Sequence, residues 1–135
     1  MSWTDRTQML IGAEGLKKLS ASRIVVVGLG GVGAYAAEML VRAGVGSVVL
    51  IDSDSVGETN LNRQLIALRS TLGRPKTEVL AERLLDINPD CEIFTVSDFL
   101  TEDNIEELFG GSSPCKTPSL RSGPIHRFAL DTSLL

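Results

Sequence analysis

This chain of 135 residues is poor in the residues that hold metals or disulfides: it has two cysteines, Cys91 and Cys115, and one histidine, His126. Two cysteines cannot build a four-cysteine zinc site, and nothing in their placement points to an oxidising compartment. Cys91 has no neighbouring base that would make it a nucleophile, and His126 falls in a stretch that reads as unstructured. Cys91 stands between Asp90 and the run Glu92-Ile93-Phe94-Thr95-Val96, so it reads as a small packed residue at a strand start. Apolar runs approaching the roughly 20 residues that cross a bilayer are missing, as is the apolar core of a signal peptide. The expectation is a cytoplasmic protein with no membrane partner. Basic charge is not in excess: a net charge of −4 and a pI near 5.0 exclude a broadly basic nucleic-acid surface. Only a local patch around Arg63, Arg69, Arg74 and Lys76 survives that averaging. There are no internal repeats.

What is present is organised around Arg23-Ile24-Val25-Val26-Val27-Gly28-Leu29-Gly30-Gly31-Val32-Gly33. A β-branched apolar run enters a glycine turn, and the turn leads into Ala34-Tyr35-Ala36-Ala37-Glu38-Met39-Leu40, a good helix former. The spacing of Gly28, Gly30 and Gly33 fits the dinucleotide-type fingerprint, in which bare backbone approaches a phosphate and helix N–H groups face the anion. Gly31 removes one more side chain from that surface.

The helix from about Val32 to Ala43 places Ala36, Met39, Leu40 and Ala43 on one face, which predicts a core-facing stripe. Gly44 and Gly46 end it. A second strand, Ser47 to Ile51, stops at Asp52, 19 residues after Gly33. An acidic residue at that distance, on the tip of the second strand, is where a ribose hydroxyl is bound in nucleotide-binding βαβ units. The following loop, Asp52 to Gln64, is dense in hydrogen-bonding groups. Within it Arg63 offers a planar fork for phosphate oxygens, and Lys76, opening a helix after Gly73-Arg74-Pro75, offers a compact ammonium. That helix buries Val79, Leu80, Leu84 and Ile87.

Residues Asp5 to Ser20 read as two short helical pieces interrupted at Gly12 and Gly15. Asn88-Pro89-Asp90 closes the helix begun at Lys76, Cys91 to Ser97 forms a third strand, and Thr101 caps a further helix carrying Ile105, Leu108 and Phe109. The alternation predicts an α/β fold: a Rossmann-like parallel sheet with flanking helices, truncated after about three strands. From Gly110 on, glycine, proline and serine replace any apolar period, and the stretch reads as irregular. The division is therefore 1–22, an N-terminal helical segment; 23–109, a Rossmann-like half-domain; and 110–135, an irregular tail.

Gly28-Leu29-Gly30-Gly31-Val32-Gly33, Asp52-Ser53-Asp54, Asn60-Leu61-Asn62-Arg63-Gln64 and Gly73-Arg74-Pro75-Lys76 resemble, in order and spacing, the adenylation domain of the ubiquitin-activating-enzyme-like (ThiF/MoeB/HesA) family. The likeness covers roughly Arg6 to Phe109. Ala81-Glu82-Arg83, Ile87 to Cys91 and Asp98 to Asn104 are most similar to the branch that dehydrates a modified adenosine of tRNA; activators of sulfur-carrier proteins are the nearest competitors. The resemblance implies ATP on the glycine turn, its ribose on Asp52, and a substrate carboxylate attacking the α-phosphate to give an acyl adenylate. It implies a triphosphate-contacting pair, Arg63 and Lys76, and polar positions of the nucleotide site at Asp54, Asn60 and Gln64. It also implies a homodimer in which Arg6 reaches the partner's phosphates, and a tRNA substrate. The family's Mg2+-holding aspartate has only a faint counterpart, Asp131. Two other readings compete: a non-catalytic nucleotide-binding fragment with an open sheet edge, and a nicotinamide or flavin oxidoreductase, which would leave Arg63 and Lys76 unexplained.

Overall fold

The computed structural model describes residues 1–109 and 125–126; Asp131 and most of the tail lie outside them. Three strands of five residues each form most of the sheet: β1 (Arg23–Val27), β2 (Ser47–Ile51) and β3 (Glu92–Val96). Between them the chain passes through α2 (Gly33–Ala43) and α3 (Lys76–Ile87), after α1 (Asp5–Ser20) and before α4 (Glu102–Phe109). All pairings are parallel, Arg23 beside Ser47 and Ser47 beside Glu92, continuing to Val27 beside Ile51 and Ile51 beside Val96. In the stretch expected to be irregular, Ile125–His126 forms a two-residue strand, β4, parallel to Arg23 and Ile24. The order β3-β2-β1-β4 reverses direction at β1. In open α/β sheets the crevice for a ligand lies off the carboxyl ends of the strands at such a reversal, and there β1 runs into the glycine turn.

The apolar runs of β1 and β2 form strands that are buried on both faces, as the inner strands of a parallel sheet require, while β3 at the sheet edge is only half-buried. Val48, Leu50 and Ile51 of β2 are sealed, together with Leu29, Val41, Ile66, Leu80 and Leu84. Helix α3 buries Val79, Leu80 and Leu84 of its predicted face, and Ile87, the fourth, is half-buried against the same core. Helix α2 does not bury its predicted stripe. Its inner face is Ala34, Ala37, Glu38 and Val41, whereas Met39 is 56% exposed. The two sets share the same 3,4 spacing but lie two residues apart, about 200° around the helix. The choice follows from how closely α2 approaches the sheet: a Cβ on Gly33 would stand 1.7 Å from the Gly28 carbonyl oxygen. The small Ala34 and Ala37 pack in the core on that side, Glu38 reaches across to Arg83 of α3, and Met39 turns outward.

Helix α1 is broken at one of the two expected glycines, Gly12, which sits at φ 74, whereas Gly15 stays helical. Its second half packs on the domain: Leu19 joins the core and its carbonyl accepts the Gly46 N–H. Its first half leaves Met9 and Leu10 exposed. At α4 the predicted cap is present, the Thr101 N–H donating to Asn104 Oδ1 at 2.7 Å and the Asn104 N–H to Thr101 Oγ1 at 3.3 Å. Cys91 is buried at the head of β3, and that burial pushes its thiol up to about 11.

Candidate functional site

The glycine turn has a division of labour that the fold makes visible. Gly28 sits at φ 83, a conformation closed to most side chains, and donates its N–H to the Ile51 carbonyl across the strand ends. Gly33 is required by the contact of α2 with the turn. Gly30 and Gly31 are required by neither: both lie outside the left-handed region, and a Cβ would meet nothing closer than 3.6 Å at Gly30 and 3.9 Å at Gly31. The chain's own packing would accept alanine at both. The bare surface faces two side chains of the polar loop, Gln64 Nε2 beside Gly30 and the Arg63 stem beside Gly31.

Asp52, at the end of β2, accepts the Leu29 N–H on Oδ2 and the Asp54 N–H on Oδ1, each at 2.7 Å. It ties the glycine turn to the next loop, and each oxygen keeps a lone pair for a further donor. Asp54 then leads to Lys76. The Asp54 carbonyl accepts the Lys76 N–H at 3.0 Å, and Asp54 Oδ2 stands 3.8 Å from Lys76 Nζ. A bridge between Ser55 and Pro75 holds the two loops together. Lys76 is only 6% exposed, which is unusual for a lysine with one distant partner.

Asn60 works through the backbone. Its Oδ1 accepts the Gly57 N–H at 2.8 Å and its carbonyl accepts the N–H groups of Arg63 and Gln64, so it shapes the turn that presents both. Arg63 is exposed and its guanidinium meets only neutral acceptors, the Thr59 carbonyl at 3.2 Å and Asn62 Oδ1 at 2.9 Å. Gln64 is buried, and its Oε1 has no hydrogen-bond partner among the described residues. Arg63 and Gln64 thus reach the turn directly, and Lys76 is linked to it through Asp54 and Asp52. Arg6 is not brought there: it is exposed on α1, with no ion pair or side-chain hydrogen bond among the described residues.

Three of the four cations of the basic patch stand beside a carboxylate in the fold, and Arg63 meets only neutral acceptors. Arg69 is paired with Glu58, Arg74 with Glu82 and Lys76 with Asp54. Each partner comes from a different stretch of chain, which a local charge count does not see. Glu38 was missed altogether. Its buried carboxylate takes Arg83 of α3 and Arg42 of α2, and the Arg83 hydrogen bond holds it below the ordinary carboxylate value against the opposing effect of burial. Its one local signal is Arg42, four residues on; Arg83, the partner that joins the helices, lies 45 residues away in the sequence.

Bare peptide beside Gln64 and Arg63, an orphaned buried amide oxygen, a buried ammonium and a half-used carboxylate together fit a phosphorylated nucleotide. A metal is a different matter: the described residues contain no group of three or more His, Cys, Asp or Glu side chains that could hold one.

The arrangement is that of a Rossmann-type α/β fold with its glycine turn at the reversal of strand order. Residues 4–114 match the ThiF family, and the chain belongs to that family. The tRNA threonylcarbamoyladenosine dehydratase of Bacillus subtilis (strain 168) is 49% identical over 105 residues, covering 78% of this chain and 41% of that protein. The molybdopterin-synthase adenylyltransferase of Salmonella typhimurium (strain LT2) is 41% identical over 100 residues, 74% of this chain and 40% of that one. The crystal structure of Escherichia coli tRNA N6-threonylcarbamoyladenosine dehydratase in complex with ATP is similar at a TM-score of 0.78 and 44% identity, over 82% of this chain and 45% of that chain. The chain thus spans about two fifths of the length of these curated relatives. No helix among the described residues is long and apolar enough to cross a membrane.

Proposed function

We propose that this chain is the ATP-binding part of a carboxylate-adenylating enzyme whose substrate is threonylcarbamoyladenosine in tRNA, with cyclising dehydration as the outcome. The observation that carries the reading is the pair Gly30 and Gly31, glycines that the fold does not demand, beside Arg63, Gln64 and the buried Lys76 chain of contacts. Bound ATP would supply an α-phosphorus open to attack by a carboxylate. The backbone of Gly30 and Gly31 would lie against the phosphates, and Asp52 would accept ribose hydroxyls on its free lone pairs. Arg63 and Lys76 would neutralise the charge that collects on the departing pyrophosphate, where fixed cations lower a barrier most. Asp54 holds Lys76 ready, and Asn60 holds the turn that aims Arg63. Magnesium, a homodimer and Arg6 acting from a second copy belong to the same reading by family likeness.

Sulfur-carrier activation is the second reading, since a molybdopterin-synthase adenylyltransferase matches the same stretch; the higher identity to the dehydratase favours the first. Calorimetry with ATP on the 135-residue chain tests the shared core of both, with binding expected in the native chain and lost in Arg63→Ala. Pyrophosphate exchange stimulated by threonylcarbamoylated tRNA, in a protein carrying the full family length, separates the two. Failure of the native chain to bind ATP sinks both.

A further inference from the structure

The described residues bury one carboxylate, that of Glu38 on α2, 4% exposed and outside the nucleotide site. Arg83 of α3 donates Nε to Oε2 at 2.6 Å and Nη2 to Oε1 at 3.3 Å. Arg42, on the same helix as Glu38, donates Nε to Oε1 at 3.0 Å. Burying a carboxylate is costly even when it is paired, and an apolar residue of similar size would pack α2 on α3 without that cost. What the ion pair adds is a single register, because a guanidinium fork meets a carboxylate in one plane.

The two helices that it joins are the two that open at the site. Helix α2 begins at Gly33, directly after the glycine turn, and α3 begins at Lys76. Glu38 lies five residues into the first and Arg83 seven residues into the second, about 7.5 Å and 10.5 Å of helix rise. Each arm is short and rigid, so a shift at the ion pair is carried to the helix heads. We propose that Glu38 and Arg83 are positioning residues, their ion pair setting the separation between the glycine turn and Lys76. The proposal rests on the nucleotide reading for its consequence. Arg42 is a built-in control, since it neutralises the same carboxylate without linking the helices.

The test compares Arg83→Gln with Arg42→Gln in the whole chain. ATP affinity is measured by calorimetry, and hydrogen exchange of the amides from Gly30 to Ala34 is followed without nucleotide. Arg83→Gln is expected to weaken ATP about tenfold, as loss of a supporting side chain does at other preorganised sites, and to speed exchange in the turn. Arg42→Gln is expected to leave both at the native level. Equal effects from the two variants would mean that only charge neutralisation matters and would overturn the proposal; so would an unchanged Arg83→Gln. If Arg83→Gln does not fold, Arg83→Lys, which keeps the charge but loses the fork, is read by the same criteria. If the native chain binds no ATP, the nucleotide reading fails, and the exchange comparison still decides whether the pair sets the register.

Discussion

Leu29 donates its backbone N–H to Asp52 Oδ2 at 2.7 Å, so the entry of the glycine turn is fastened to the end of β2 by a side chain 23 residues on. The other oxygen of the same carboxylate takes the Asp54 N–H. Hydrogen bonds to an ionised acceptor contribute about 1.5–3 kcal/mol when desolvated, and this site is half open to water. Asp52→Ala is expected to cost about 2 kcal/mol in urea unfolding and to abolish ATP binding. A variant as stable as the native chain would show that the two amides find water instead and that Asp52 does not brace the turn.

The glycines divide into two kinds, and alanine substitution separates them. Gly33→Ala would drive a Cβ into the Gly28 carbonyl and is expected to unfold the chain or move α2 off the sheet. Gly30→Ala and Gly31→Ala meet only ordinary contacts and are expected to fold with stability equal to or above native, since alanine narrows the unfolded ensemble. Both should nevertheless lose ATP affinity, because on the proposed reading the added methyl would occupy the surface that the phosphates approach. Circular dichroism melts and calorimetry on the same samples check the pair of outcomes. Retained ATP binding in both would remove the cradle.

Much of this was open to reading from residue order. The strand-turn-helix at Arg23 to Leu40, Asp52 at the tip of β2, the break at Gly12 and the helix start at Lys76 are local signals, set by β-branching, glycine and proline. The inner face of α2 was not readable, because Ala34/Ala37/Val41 and Ala36/Met39/Leu40 both satisfy a helical period. Only the closeness of the sheet decides between them. The ion pairs within the basic patch, Arg69 with Glu58 and Arg74 with Glu82, depend on which segments meet. So does the chain from Lys76 through Asp54 to Asp52: the sequence shows the residues but not that one loop folds back on the other.

The Glu38 carboxyl makes acid stability predictable in sign. The Arg83 hydrogen bond holds it below the ordinary value of 4.5 in the folded chain, so the unfolded chain binds a proton first as pH falls. The stability it contributes is complete above about pH 4.5 and is lost as pH drops through the lower folded value. Glu38→Gln has no such proton to take up. Urea midpoints followed from pH 7 to pH 3 should therefore fall less steeply below pH 4.5 in the variant, and parallel curves would show that Glu38 keeps an unshifted carboxyl. At pH 7 the variant is expected to lose about 2 kcal/mol, below the range for fully buried pairs because both guanidiniums are partly in water.

Lys76 offers the sharpest separation of folding from function. Its side chain is 7% exposed with one partner, Asp54, at 3.8 Å, and that partner is 67% exposed. Removing the ammonium strands no buried charge, since the Asp54 carboxylate stays hydrated. Lys76→Met keeps the stem's volume and is expected to melt at the native temperature or above, because replacing a poorly paired buried ion with an apolar group is neutral to stabilising. Burial of Lys76 opposes stability, and on the proposed nucleotide reading its ammonium would serve the phosphates beyond the first. The same variant should therefore lose about tenfold or more in ATP affinity, the worth of a hydrogen bond to a charged group, while AMP affinity stays near native. Calorimetry with the two nucleotides decides it: equal losses for ATP and AMP would place Lys76 away from the outer phosphates, and a lowered melting temperature would make it a structural residue after all.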